Sequence, residues 1–313
     1  MPKAITNLQT TVDHYIDMIM GSLLRQFHTP DGLSLFGDVG GSLNAPAVVL
    51  LHGGGQTRHS WAGAMRHLVE RGYFVVNYDA RGHGDSDWSP DGDYSLNALA
   101  SDLMAVLSTI SGPVALVGAS MGGMTSFYAI GSADHPIADA LVMVDIALRP
   151  APAGVQKIQQ FMTGHNDGFA TLAEAAAAVA AYNPDRPRPS GSTGLMKNLR
   201  LREDGRLYWH WDPRMMDQRP TPEPPAATNE LERVSHGVTV PTLLVRGGHS
   251  DIVDDEGVAN MRSFVPQLEV FEVPGAGHMV AGDRNDAFNK GVLAFLACHH
   301  AVGGTSLATN GNN

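Results

Sequence analysis

The sequence predicts an α/β fold: a mostly parallel central sheet flanked by helices, with one inserted, mainly helical cap. Three observations predict it. Short apolar runs alternate with longer helical patterns from Ala47 to Val144 and again from Thr242 to Ala297, which is the rhythm of strands joined by crossover helices. The residues with chemistry to offer stand just past the C-terminal ends of those runs, where open α/β sheets bind ligands. Between Arg149 and about Ser235 the rhythm stops and the composition changes.

Residues 8–27 place Val12, Tyr15, Ile16, Ile19, Leu23 and Leu24 at helical spacing, so residues 1–27 read as a helical extension. That helix would pack on the sheet edge or on the partner in a homodimer. Leu33 to Val39 alternates as a strand does. Ala47–Leu51 is a continuous apolar run ending in His52-Gly53-Gly54-Gly55, and a helix follows over Trp61–Arg71. Phe74–Tyr78 is a strand ending at Asp79, and Leu96–Ile110 is helical. Val114–Val117 is a strand, Met121–Ile130 a helix, and Ala140–Val144 a strand ending at Asp145. Runs apolar on both faces imply a parallel sheet covered on both sides. The first part of the core therefore spans 28–148.

The cap is read over 149–235. Residues 155–162 and 169–182 are helical in pattern, while 183–189 and 219–225 are too rich in proline for core strands. Between them LYWHWDP (207–213) carries two tryptophans. A loop of this length without structure of its own is unusual in a compact domain. The alternation then resumes over 236–298: Thr242–Val245 is a strand running into RGGHSD, Val258–Phe264 is helical, Leu268–Val273 is a strand before PGAGH, and Ala287–Ala297 is a closing helix. From 299 to 313 the Gly, Ser, Thr and Asn content reads as a flexible tail.

At 313 residues, with 43% hydrophobic residues, the chain can bury a sizeable core. Its formal net charge of −11 argues against nucleic acid and against anionic membrane surfaces as partners. The single cysteine, Cys298, forbids an internal disulfide. No apolar run is long enough to span a bilayer, and the start of the chain lacks a signal-peptide pattern. A cytoplasmic protein acting on a small molecule is the expectation. No HExxH, cysteine cluster or phosphate loop is present, so neither metal nor cofactor is expected.

The stretch PVALVGASMGG (113–123) carries the chemistry. It reads as a buried strand, a tight turn and a helix start, with Ser120 at the corner inside G-A-S-M-G. Such a corner pushes the hydroxyl out above the sheet edge. Gly118 and Gly122 suit it because a side chain would crowd the turn. A serine hydroxyl needs a base, and the base needs a partner that sets its tautomer. His278 follows a strand and a Gly-x-Gly turn, and makes the candidate base. Asp251 follows the preceding strand and is the favoured acid because the turn and spacing before His278 fit it best. Asp145, also ending a strand, is the alternative.

With LLHGGG at 50–55, DARGHGDSD at 79–87, GASMGG at 118–123, VRGGHSDIV at 245–253 and GAGH at 275–278, the chain resembles the α/β-hydrolase superfamily over residues 28–298. Within it the similarity is greatest to the capped esterase, epoxide-hydrolase-like and non-haem-peroxidase-like group. The order Ser120, Asp251, His278 is that superfamily's serine–acid–histidine order. The resemblance implies Ser120 as nucleophile, His278 as base then acid, and Asp251 as the orienting acid. It implies an oxyanion hole from the backbone N–H of Met121 and one from the glycine loop, Gly54 first and Gly55 next. It gives His52 and His83 a loop-shaping role only.

The activity so implied is hydrolysis of small to medium apolar carboxylic esters through an acyl-enzyme. Lactone hydrolysis, C–C bond hydrolysis, cofactor-free perhydrolysis and acyl transfer to another acceptor use the same residues and stay open. A catalytically silent ligand-binding member of the fold is the reading from a different class. Epoxide hydrolases and haloalkane dehalogenases of this fold place aspartate where Ser120 stands, so those activities are not expected. Trp61, and Phe161, Met162, Trp209, Trp211, Met215 and Met216 of the cap, read either as pocket wall or as local packing.

Overall fold

The computed structural model describes residues 22–184, 193–216, 226–278, 280 and 285–302. In chain order the larger elements are β1 (Ser22–His28), β2 (Ser34–Gly40), β3 (Ala47–Leu51), α1 (Ala62–Glu70), β4 (Phe74–Tyr78), α2 (Leu96–Leu107), β5 (Val114–Ala119), α3 (Met121–Ser132) and β6 (Ala140–Val144). Then come α4 (Pro152–Thr163), α5 (Leu172–Tyr182), a hairpin of β7 (Leu199–Leu201) and β8 (Leu207–Trp209), and α6 (Ala226–Val234). The chain closes with β9 (Thr242–Gly247), α7 (Asp255–Phe264), β10 (Leu268–Val273) and α8 (Asn285–His299).

Eight strands form one sheet in the order β1-β2-β4-β3-β5-β6-β9-β10. The β1–β2 and β2–β4 pairs are antiparallel and all others are parallel. Successive residues of the central strands feed two separate cores. In β3, Val49 and Leu51 join the cluster under α2 and α3, while Val48 and Leu50 join the one under α1 and α8. In β5, Leu116 and Val117 divide in the same way. Burial on both faces is why these strands read as unbroken apolar runs and not as alternation. The chain leaves β3 toward β4 and returns to the other side of β3 as β5. The sheet therefore has its switch point between β3 and β5, and both strands end in the loops that matter below.

Three expectations need correction. Residues 22–28 are not helical: they form β1, the antiparallel edge strand, paired with β2 from Ser22↔Gly40 to His28↔Ser34. The core thus begins before residue 28. The helical spacing of Leu23 and Leu24 had no buried face behind it, for both side chains are exposed. The rest of the proposed N-terminal helix, 8–21, lies outside the described residues. Second, α6 does not belong to the cap. Its Leu231 and Val234 are buried in the core with α3, where the Gly131 backbone lies against Val234. The cap is also less helical than expected, since Leu207–Trp209 of LYWHWDP forms strand β8. Third, the tail does not start at 299. His300 is buried, meets the Ala47 carbonyl at 2.9 Å and stacks on Tyr73. Residues 303–313 lie outside the described residues.

Among the described residues no helix is long and apolar enough to cross a membrane.

Candidate active site

The serine corner is built by close backbone contact. Ser120 has φ +46° and ψ −113°, a left-handed conformation that is strained for a residue with a side chain. Its N–H is fixed by the Val144 carbonyl at 3.0 Å, and its own carbonyl receives Met124 N–H at 3.0 Å. Glycines make the turn feasible. A Cβ on Gly118 would lie 2.3 Å from the Gly122 carbonyl carbon, and one on Gly122 would lie 2.4 Å from the Leu51 oxygen. The first N–H groups of α3 have no partner within the helix, so the Met121 N–H is of the kind that stabilises a nearby anion.

His278 follows β10, and backbone contacts hold its loop against the loop after β9. Gly248 N–H meets the Val273 carbonyl at 3.0 Å and His249 N–H meets Ala276 at 2.9 Å. A Cβ on Gly247 would stand 2.5 Å from the Gly277 oxygen. The ring's Nδ1 is 2.8 Å from Asp145 Oδ2. Asp145 is fully buried, with φ +50°. Its other hydrogen bonds come from Gly247 N–H at 2.8 Å and the Ser250 hydroxyl at 2.6 Å. A buried carboxylate is tolerated only when donors meet it, and this one is fully supplied. With Nδ1–H given to Asp145, the Nε2 lone pair is left to accept a proton.

Asp251, the acid favoured from the sequence, is not at His278. Its carboxylate pairs with Lys157 Nζ of α4 at 2.8 Å, with both side chains more than two-fifths exposed. Asp145 and Asp251 follow adjacent parallel strands. The turn and spacing before His278 favoured Asp251, but the loop after β9 turns Ser250 and Gly247 toward Asp145 and sends Asp251 outward to the cap.

The glycine loop after β3 completes the site. Gly53 N–H is held by Gln56 Oε1 at 3.2 Å, and Gly55 N–H by His83 Nε2 at 3.1 Å. Among the described residues no acceptor meets Gly54 N–H. Gly55, the second choice for an oxyanion donor, therefore has its N–H engaged elsewhere. Gly54, Gly55, Ser120, Met121 and His278 all line one cavity of about 1010 Å³ between the strand ends and the cap. Trp61, Phe161, Trp209 and Trp211 line it too. The cap aromatics also form the cap's own small core: Trp209 and Trp211 stack at 4.8 Å, with Phe161 5.4 Å from Trp209. Pocket wall and packing were posed as alternatives, and these residues do both.

Behind the glycine loop sit three buried imidazoles, His52, His83 and His210. Burial lowers the pKa of each, in the case of His210 to about 3. His52 bridges the Gly53 carbonyl and Ala80 N–H. His210 has no role in the sequence reading, although a histidine set between two tryptophans in WHW is a cue to burial. The nearby Arg58 is spent on Asp38, Asp79 and Asp85, and Arg81 grips Asp102 through two 2.6 Å bonds. These pairs brace the loop that carries His83. His59, at the cavity rim, is pushed down to about 4 by burial and by Arg58 and Lys197.

A strained serine and a carboxylate-held histidine around one cavity are the arrangement of the α/β-hydrolase kind. Residues 46–284 match the family model for the alpha/beta hydrolase fold, and the chain belongs to that family. It is 29% identical over 269 residues to the esterase Rv0045c of Mycobacterium tuberculosis, covering 82% of this chain and 84% of that one. It is 29% identical over 271 residues to the sn-1-specific diacylglycerol lipase ABHD11 of Mus musculus, covering 82% and 83%. The crystal structure of E-2-(acetamidomethylene)succinate hydrolase superposes with a TM-score of 0.76 at 24% identity, over 88% of this chain and 99% of that one, and shows the shared fold.

Proposed function

We propose that the protein is a serine hydrolase that cleaves carboxylic esters of small to medium apolar substrates through an acyl-enzyme. The observation that carries this reading is the pair His278–Asp145: a buried carboxylate fixes the imidazole tautomer, and the ring lines the same cavity as Ser120. Ser120 attacks the ester carbonyl as His278 takes its proton. The oxyanion is met by the N–H groups of Met121 and Gly54. His278 then protonates the departing alcohol, activates a water, and the acid leaves. Asp145 orients the ring and stabilises its charged form.

Relatives named esterase and lipase support ester chemistry. The apolar wall of Met124, Ile146, Met162, Trp209 and Trp211 supports an apolar acyl or alcohol group, and a cavity of this size holds a drug-sized molecule. The test is hydrolysis of p-nitrophenyl esters of increasing acyl length by the native chain and by Ser120→Ala. A medium-chain optimum, with kcat reduced by about 10⁴-fold or more in the variant, is the expected result. Equal turnover by both would sink the reading. A folded protein inactive on every ester would redirect it to lactones or C–C bonds.

A further inference from the structure

We infer that His210, carried into the core by the cap, is a positioning residue for the oxyanion loop, acting through Gly84 and His83. The inference rests on the serine-hydrolase reading above. It joins two hydrogen bonds made 126 and 28 residues apart in the chain: Gly84 N–H donates to His210 Nδ1 at 2.8 Å, and Gly55 N–H donates to His83 Nε2 at 3.1 Å.

Each imidazole is used as an acceptor, so each must be neutral and in one tautomer. His83 Nδ1 lies 3.1 Å from the Arg81 carbonyl, which takes its proton and leaves Nε2 bare for Gly55. His210 takes the opposite form: Nδ1 is bare for Gly84, so the proton is on Nε2. The rings meet with centroids 5.7 Å apart, and His52 lies 4.9 Å from His83 on the other side. Both His83 and His210 are fully buried. The charged groups that act on the trio are Asp79, Arg58 and Arg200.

The consequence falls on the glycine loop. Gly55 has φ +71°, and tying its N–H to His83 turns that donor away from the cavity. Gly54 is then the loop residue with an uncommitted N–H among the described residues. His83 can hold this geometry only while its own loop is fixed, and the neighbouring Gly84 leaves no slack. A Cβ there would lie 2.1 Å from Asp79 Oδ2, so the backbone is pressed onto that carboxylate. His210 closes the remaining side. Its hairpin is clamped beside it, with Asp212 N–H on the Gly82 carbonyl at 2.9 Å and the Tyr94 hydroxyl on Asp212 Oδ2 at 2.5 Å. The cap thus bears on the glycine loop from two sides, through His210 and through Met162, whose sulfur would lie 3.6 Å from a Cβ on Gly54. Donor placement matters steeply: a displacement of about 1 Å can cost roughly a hundredfold in rate.

The experiment compares the full-length native chain with H210F, H210N and H210Q. Asparagine offers an oxygen near the Nδ1 position, whereas glutamine offers it near Nε2. H210F and H210Q are expected to lose about ten- to a hundredfold in kcat with KM within about threefold, and H210N to stay within about threefold of native. Affinity for a trifluoromethyl ketone, whose adduct places an oxyanion in the hole, falls with kcat, while affinity for the matching methyl ketone holds. Independently of any substitution, ¹⁵N correlation spectra of the histidine-labelled native chain should show His83 as the Nδ1–H tautomer and His210 as Nε2–H, both neutral at pH 5.

Unchanged kcat in H210F, equal loss of methyl ketone affinity, no rescue by H210N, or either ring in the other tautomer overturns the inference. Native protein that does not react with a fluorophosphonate contradicts the serine-hydrolase reading instead. The two failures are thus distinguishable, and the spectra remain decisive if H210F does not fold.

Discussion

Asp145 accepts three hydrogen bonds while fully buried, from Gly247 N–H, the Ser250 hydroxyl and His278 Nδ1. Replacing it with asparagine keeps the volume but removes the charge that stabilises an imidazolium and admits the wrong tautomer. Asp145→Asn is expected to lower kcat by about a thousandfold or more. Asp251→Asn breaks only a half-exposed pair with Lys157, worth under about 1 kcal/mol, and kcat should stay within about threefold of native. Steady-state kinetics on the two variants checks this, and the reverse ranking would return the acid role to Asp251. The corner at Ser120 and the turn before His278 were legible in the sequence because each is local. The carboxylate that meets His278 was not, because it lies 133 residues from it in the chain, and two aspartates follow neighbouring strands. What separates them is side-chain direction after β6 and β9, which no local spacing encodes.

The β5–α3 corner shows how far a local motif can be trusted. Its glycines were legible as a steric demand, and the contacts give the demand a size. Gly122→Ala drives a methyl to 2.4 Å from the Leu51 oxygen and 2.6 Å from the Leu51 Cβ. Backbone cannot yield as a flexible side chain can, so a loss of about 3 kcal/mol is expected, with activity falling alongside. Gly63→Ala in α1 meets nothing within 4 Å and should gain up to about 1 kcal/mol from helix propensity. Urea unfolding of the two variants measures both, and a stable, active Gly122→Ala chain would contradict the tight corner. The central strands were legible because burial on both faces leaves only apolar residues. Strand β1 was not: at the sheet edge its exposed Leu23 and Leu24 continue a helical spacing begun upstream, and pairing with β2 overrides it.

Across the whole molecule, the buried imidazoles tie stability to pH. His83 and His210 are neutral in the fold because burial depresses their pKa, His83 well below its ordinary value and His210 to about 3. In the unfolded chain they titrate near 6.5, so the unfolded state binds more protons as pH falls. Their contribution is full above about pH 7 and declines below 6.5, by about 1.4 kcal/mol per pH unit for each ring until its folded value is reached. Between pH 7 and 5.5 the two together should cost roughly 2.5 kcal/mol, with His52 adding in the same direction. Chemical denaturation at the two pH values reads this directly, and a flat profile would mean the rings are charged or exposed. The mostly parallel sheet with its flanking helices was legible at this scale, whereas the sequence left the cap aromatics open between pocket wall and packing. The inward path of His210 was not legible, because only the docked hairpin reveals which residue of WHWDP faces the core.

The measurement that tests the central claim most directly is fluorophosphonate labelling followed by peptide mapping, on the native chain and on Asp145→Asn. A single adduct on Ser120, formed rapidly in the native chain and about a hundredfold or more slowly in the variant, is the predicted result. An adduct on another residue, no adduct on a folded native chain, or equal rates in both proteins would contradict the Ser120–His278–Asp145 assignment.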